Sequence, residues 1–329
     1  MKKIQLTKFF LSLNIKKSKQ IMQLSHQKIF PEKTVSSSPK NTYQKVHLLN
    51  KEFQQESTLR WQASLSKWKN NLEILKEEII SMNLLKKGIP YDLKSQVWSV
   101  LLGINDHPPL NVLKDRLSSA DKYQISVDVK RTIKYNSKIN EETNLIELLE
   151  FYAHYNPEIG YCQGMSDIAV NILEFFDLAE AKIVFIKLIE GNRATKFSIF
   201  DRTLSMMTEI LAQQRLLIQK IEPGLYKLLY LTPTTNVDMQ DVDLVFMKWF
   251  ITYFTRHRQI KDRVWDYFMF YGFDILFYFT IAILKYFEHD IRFHANSSED
   301  LVMFLNGLDC KFIEPNTLIT IVEEYIRTN

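Results

Sequence analysis

Residues 123–165 read YQISVDVKRTIKYNSKINEETNLIELLEFYAHYNPEIGYCQGM, and two short spaced patterns flank one amphipathic segment there. Ile125, Asp128 and Arg131 form the first, I-x-x-D-x-x-R; Tyr161 and Gln163 form the second, Y-x-Q, followed by Gly164. Between them Leu145, Leu148, Leu149 and Tyr152 stand at i, i+3, i+4 and i+7, which predicts a helix with one apolar face. Asn156-Pro157 ends that helix and opens a turn. The segment from Thr132 to Asn140 is expected to be a loop that lets the chain double back beside the helix. Taken singly, these residues imply little. An Asp and an Arg three apart on a helix form a surface pair that stabilises by about 0.2–0.5 kcal/mol. An isolated Gln163 reads as a solvated or capping amide, and Cys162 as a small buried residue.

Outward toward the N-terminus, Trp61, Leu65, Trp68, Leu72, Leu75, Ile79 and Met82 repeat at steps of four and three. This predicts one amphipathic helix, ended by Gly88, with Pro90 opening the next. Val97, Trp98, Leu101 and Leu102 are the expected buried face of that next helix. Toward the C-terminus, Met165, Ile168, Ile172 and Phe176 continue in helical period. Residues 181–190 and 203–221 are further helix candidates, Pro223 and Pro233 bracket a short element, and a polar loop is expected from Thr232 to Asp243. The run from Tyr267 to Leu284 is apolar enough to raise a membrane span, but Gly272 and Asp274 interrupt it. Two buried helices are the better reading, with Gly272 ending the first and Asp274 capping the second. Two more amphipathic helices are expected from Ser298 to Ile326.

Composition narrows the function classes. The 329 residues can bury a large core, and 22 Phe and 15 Tyr make it an aromatic one. Two cysteines, Cys162 and Cys310, build neither a disulfide framework nor a zinc site, which fits a reducing, cytoplasmic setting. Asp238, Asp241 and Asp243 lack the glycine and terminal glutamate of a calcium loop and read as acids at a helix start. No glycine is followed by lysine, so a P-loop is absent and no cofactor of its own is expected. Residues 1–50 carry ten lysines against one acid, Glu32, a balance of +9 that leaves −5 for the rest of a chain whose total is +4. That arm, with Ser36, Ser37, Ser38 and Pro39 in it, is expected to be disordered and able to touch acidic membranes. Its opening apolar run is broken by Ser12 and Asn14, with no small-residue cleavage site after it, and is not read as a secretory leader. With no arginine in the arm and no recognisable motif in the body, nucleic acid is not an expected partner.

The combination of I-x-x-D-x-x-R with Y-x-Q inside GYCQGM resembles the core of the TBC-domain family, the GTPase-activating proteins for Rab GTPases. Supporting blocks stand elsewhere. KWFITYFTR (248–256) and RVWDYF (263–268) look like the family's WF…F-x-R and R-x-W-D blocks, and Trp98 matches its opening R-x-x-x-W. The resemblance covers about residues 59–329 and implies an all-α, two-lobed TBC domain behind a basic arm of residues 1–58. It implies that Arg131 is an arginine finger and Gln163 a glutamine finger, with Ile125, Asp128, Tyr161, Gly164, Lys94 and Trp98 in support. GTP and its magnesium ion would arrive on a GTP-loaded Rab-type partner, and the setting would be vesicle trafficking at the periphery of endomembranes. Two departures stand out. Lys94 replaces the arginine of the opening motif and lacks its planar fork. Thr132-Ile133-Lys134 stands where Thr-Phe-Pro is common, so the loop after the finger is expected to sit differently. The competing reading is a non-catalytic scaffold that binds a small GTPase or a membrane partner.

Overall fold

The computed structural model describes residues 55–68, 70–104, 117–135, 142–191, 199–200, 205–232 and 239–329. The basic arm of residues 1–50, most of the expected 132–140 loop and Asp238 lie outside the described residues. Glu56–Ile326 forms one compact unit; the described residues of the other, Met1–Gln55 with Arg327–Asn329, are Gln55 and the last three. Among the described residues there is helix and turn but no strand, so the chain is all-α.

Helix α1 covers residues 55–68, α2 Leu72–Ser81 and α3 Leu84–Lys87. The apolar period from Trp61 to Met82 is thus carried by two helices in place of the expected one. The break falls at Asn70-Asn71: the Asn71 side chain accepts from the Ile74 amide at 3.3 Å and caps α2. A side chain that bonds its own backbone competes with the helix ladder, whereas hydrophobic period passes over such a break unseen. Trp61, Leu65, Leu75 and Ile79 are buried, and the Trp61 indole donates to the Gly88 carbonyl at 3.1 Å.

A 3₁₀ turn at Tyr91–Leu93 leads into α4, Lys94–Leu102. Helices α5 (Ser119–Tyr135), α6 (Glu142–Tyr155), α7 (Met165–Leu173) and α8 (Leu178–Glu190) pack on one another as a first group. Helix α5 continues through Tyr135, so Thr132 begins no loop; Ile125, Val129 and Thr132 keep the chain helical because each is buried on the same face. The second group begins with α9, Ser205–Ile221, followed by α10, Pro223–Tyr226, and a π-helical turn at Lys227–Leu231. It continues with α11 (Met239–Ile251), α12 (Lys261–Tyr271), α13 (Ile275–Tyr286), α14 (Glu288–His294), α15 (Ser298–Asn306) and α16 (Pro315–Thr328). Helix α4 packs against α12 in the second group and α8 in the first.

Two expectations change in the second group. Helix α11 takes up the last five residues, 239–243, of the expected 232–243 polar loop, with Asp241 in its first turn as a helix start requires, while Asp243 receives Arg215 and the Tyr230 hydroxyl. Asp274 does precede α13, but its side chain makes no capping bond. The 267–284 run divides at Gly272 (φ +84°), and Ile275 to Leu284 is buried all round by aromatic neighbours such as Phe250 and Phe273. No helix of the described residues is long and apolar enough to cross a membrane.

Candidate functional site

Lys94 and Trp98 lie one turn apart on α4 and meet the R-x-W-D block of α12. Lys94 Nζ stands 2.5 Å from Asp266 Oδ1, the Trp98 indole donates to the same oxygen at 3.3 Å, and the Ile89 amide donates to Oδ2 at 3.1 Å. Both charged side chains are buried, at 4% and 1% exposure. Burial pushes the Asp266 carboxyl up, and Lys94 and the Ile89 amide oppose that shift by favouring the carboxylate. The Trp98 and Trp265 rings lie 5.8 Å apart. The lysine therefore performs as a brace even without the fork.

The residues of the 123–165 stretch converge around Asp128. Its carboxylate is 6% exposed and receives the Tyr161 hydroxyl at 2.9 Å, the Gln124 amide at 3.0 Å and Arg131 Nη1 at 3.4 Å. Burial pushes the Tyr161 hydroxyl up; a hydrogen bond with Ser166 opposes the shift, and Asp128 adds to it. The phenol keeps its proton and donates it to the carboxylate. One turn along, the Thr132 and Ser166 hydroxyls meet at 2.9 Å, both buried. These two cross-links tie α5 to residues 161–166 on either side of both candidate fingers. The pair between Asp128 and Arg131 is not the surface pair that spacing alone suggests. Asp128 is an interior anchor, whereas the Arg131 side chain is 66% exposed. Ile125 is buried one turn below, and Gln163 is exposed and has no hydrogen-bond partner among the described residues.

Gln163 and Gly164 form the turn that starts α7. Gly164 has φ +98°, where a side chain is strained, and an added Cβ would lie 2.3 Å from the Ile251 carbonyl oxygen. Cys162 is half-buried, more open than expected, with Sγ near the Ile159 carbonyl at 3.7 Å.

Three residues that the sequence reading did not place at the site complete it. Asp167, in the first turn of α7, takes both arms of Arg256: Nε to Oδ1 at 3.2 Å and Nη2 to Oδ2 at 3.0 Å. Burial raises the Asp167 carboxyl, Arg256 lowers it, and the nearby charge of Asp128 raises it. Ser166 joins through Thr132. Nothing in the spacing links Asp167, two residues past GYCQGM, to a residue 89 positions away, although Arg256 itself closes the KWFITYFTR block.

The family model for the Rab-GTPase-TBC domain matches residues 91–292, from the 3₁₀ turn before α4 to α14. The chain belongs to this family. Among similar proteins is the Rab GTPase-activating protein eat-17 of Caenorhabditis elegans, 24% identical over an alignment 274 residues long that covers 76% of this chain and 30% of that protein. Another is the TBC domain-containing protein C4G8.04 of Schizosaccharomyces pombe, 27% identical over an alignment 249 residues long that covers 72% of this chain and 31% of that protein. The TBC chain thus spans about a third of the length of the curated relatives it matches. Of solved structures, the Ypt/Rab-GAP domain of Gyp1p aligns with TM-score 0.60 at 16% identity, covering 80% of this chain and 97% of that one. A Chlamydomonas flagellar RabGAP TBC domain aligns with TM-score 0.55 at 19% identity, covering 83% and 96%. The all-helical fold is the TBC fold.

Proposed function

We propose that this TBC domain accelerates GTP hydrolysis by a Rab-type small GTPase, with Arg131 and Gln163 reaching the nucleotide on the partner. The observation that carries the reading is the pair of cross-links, Asp128–Tyr161 and Thr132–Ser166, which bracket two exposed side chains from distant parts of the sequence.

The chemistry asks for this pair of residue types. Phosphoryl transfer gathers negative charge on the phosphoryl oxygens, and a GTPase alone has too little fixed positive charge there. An arginine supplied in trans raises the rate by about 10³–10⁵. It must be charged at every working pH and able to reach two oxygens, which a guanidinium does and an ammonium does less well. Asp128, itself held by Tyr161 and Gln124, limits the directions Arg131 can take without burying it. The neutral amide of Gln163 can accept from the attacking water and donate to a phosphate oxygen. Trafficking at acidic endomembranes, with the lysine-rich residues 1–50 contacting the lipid surface, belongs to the same proposal.

The test is single-turnover GTP hydrolysis across a panel of purified Rab GTPases. Wild type should accelerate at least one member. Arg131→Lys should then lose about two or more orders of magnitude in rate with its melting temperature unchanged, because an exposed side chain contributes little to the fold and the lost interaction belongs to the transition state. Full activity in Arg131→Lys would end the finger reading. A wild type inactive on every Rab, yet binding one, would establish the scaffold.

A further inference from the structure

The segment that follows α11 is built in an unusual way. Tyr253 and Phe254 are consecutive, bulky and buried, yet both take left-handed backbone angles, φ +46° and +61°. Such residues avoid that region, and the conformation persists only where surroundings over-determine it. Here they do. The Tyr253 hydroxyl donates to the Leu188 carbonyl at 3.0 Å, the Trp265 indole donates to the Tyr253 carbonyl at 2.9 Å, and the Phe254 amide closes on the Trp249 carbonyl at 3.0 Å.

What the strained turn delivers is Arg256. Its guanidinium closes on Asp167 with two bonds, directly under the turn that carries Gln163. The end of α11 meets that turn again at Gly164, whose missing Cβ leaves room for the Ile251 carbonyl. Farther along, Lys261 holds the other end of α7, with Nζ 2.7 Å from Asn171 Oδ1 and 2.7 Å from Glu174 Oε2. Helix α7 is thereby pinned at both ends by residues running from the end of α11 to the first residue of α12.

We infer that Arg256, acting through Asp167, is a positioning residue that fixes the Gln163 turn, so that the second helical group sets the geometry of a site built on the first. This rests on the proposed role of Gln163. A bidentate clamp suits the task, because two parallel bonds fix orientation as well as distance. Small misplacement of a reacting group is enough to cost rate.

Two readouts on the full chain separate this from general support of the fold. In Arg256→Gln, hydrogen exchange at the Asp167 and Ile168 amides, which close the first turn of α7 on the Gly164 carbonyl, should rise by about tenfold or more, while amides of α12 keep wild-type protection. On a responsive Rab, the maximal single-turnover rate should fall by about tenfold with the half-saturating concentration unchanged, and Arg256→Gln should cost nothing further in a Gln163→Ala background. Arg256→Lys, which keeps charge but loses the fork, should recover only part of the rate. Unchanged exchange in the first turn of α7 overturns the proposal. So does a rise spread over α12, which marks global destabilisation, or a loss that multiplies with that of Gln163→Ala. A wild type that stimulates no GTPase ends the finger reading alone; the exchange result then decides whether Arg256 holds the turn.

Discussion

Removing the Lys94 ammonium should be among the most damaging single changes in this chain, although that residue departs from the family pattern. In Lys94→Met the side-chain volume is nearly kept, and what disappears is the partner of a carboxylate 1% exposed. Solvent screening offers no relief at that depth. Breaking a buried pair by removing one partner costs about 3–5 kcal/mol. Asp266 retains the Trp98 and Ile89 donors, so the lower half of that range is expected, about 3–4 kcal/mol. Unfolding entropy of about 2.1 cal/mol/K per residue over the compact unit converts this to a fall of roughly 5–7 °C in melting temperature. The decisive comparison is Lys94→Met with Asp266→Asn. Asparagine carries no charge but has one acceptor oxygen where aspartate has two, so it keeps either the indole on Oδ1 or the Ile89 amide on Oδ2, and the double variant should recover part of the lost stability. The assay is thermal and urea unfolding of the four proteins of the cycle. A loss below about 1 kcal/mol in Lys94→Met, in the range of an exposed pair, would refute the brace. Losses that simply add would refute the coupling.

Two other outcomes follow from the described geometry and the sequence. His257 is buried between Trp249 and Phe254 with neither ring nitrogen hydrogen-bonded among the described residues, and burial pulls it down to about 4, Asp309 opposing and Lys248 adding to the shift. The folded state therefore refuses a proton that the unfolded chain accepts below about 6.5. Stability is full above that pH and is lost as pH falls toward 4, by about 3 kcal/mol from this group, and His257→Phe should flatten that part of a urea-unfolding pH profile. Deleting residues 1–50 should leave the proposed stimulation of GTP hydrolysis in solution intact and weaken co-sedimentation with vesicles rich in anionic lipid; loss of that stimulation would make the arm part of the TBC domain.

Helix identity was legible wherever apolar period was strong and one-faced, as in Leu145 to Tyr152 and Met165 to Ile172, because burial decides those positions. Helix ends were less so. The Asn71 cap hides inside an unbroken period, and Thr132 looked like loop because its polar side chain pairs with Ser166 in the interior. Around the site, spacing alone gave Asp128 as half of a surface ion pair; its depth and its bond to Tyr161 depend on how α5 crosses the 161–166 segment. The Arg256–Asp167 clamp was beyond reach for a related reason: Arg256 ends the F-x-R block, but it follows two left-handed aromatic residues, and no propensity of Tyr or Phe signals that turn. Lys94 shows the reverse case. The substitution looked like a weakened motif, yet a compact ammonium fills a small buried site where one carboxylate oxygen serves as the main acceptor.

The Lys94–Asp266 pair joins positions 172 residues apart, and the Ile89 amide and Trp98 indole close on the same carboxylate. During synthesis, at about 5–20 residues per second, roughly 9–34 s pass between the emergence of one partner and the other. Through that interval Lys94 has no counter-charge and Trp98 has no indole to pack on from α12. The first group of helices is thus translated with its anchoring surface open. A nascent chain of this protein should be an extended client of ribosome-associated chaperones until the R-x-W-D block has left the exit tunnel, and a ribosome stalled just before that block should hold a protease-sensitive amino-terminal half.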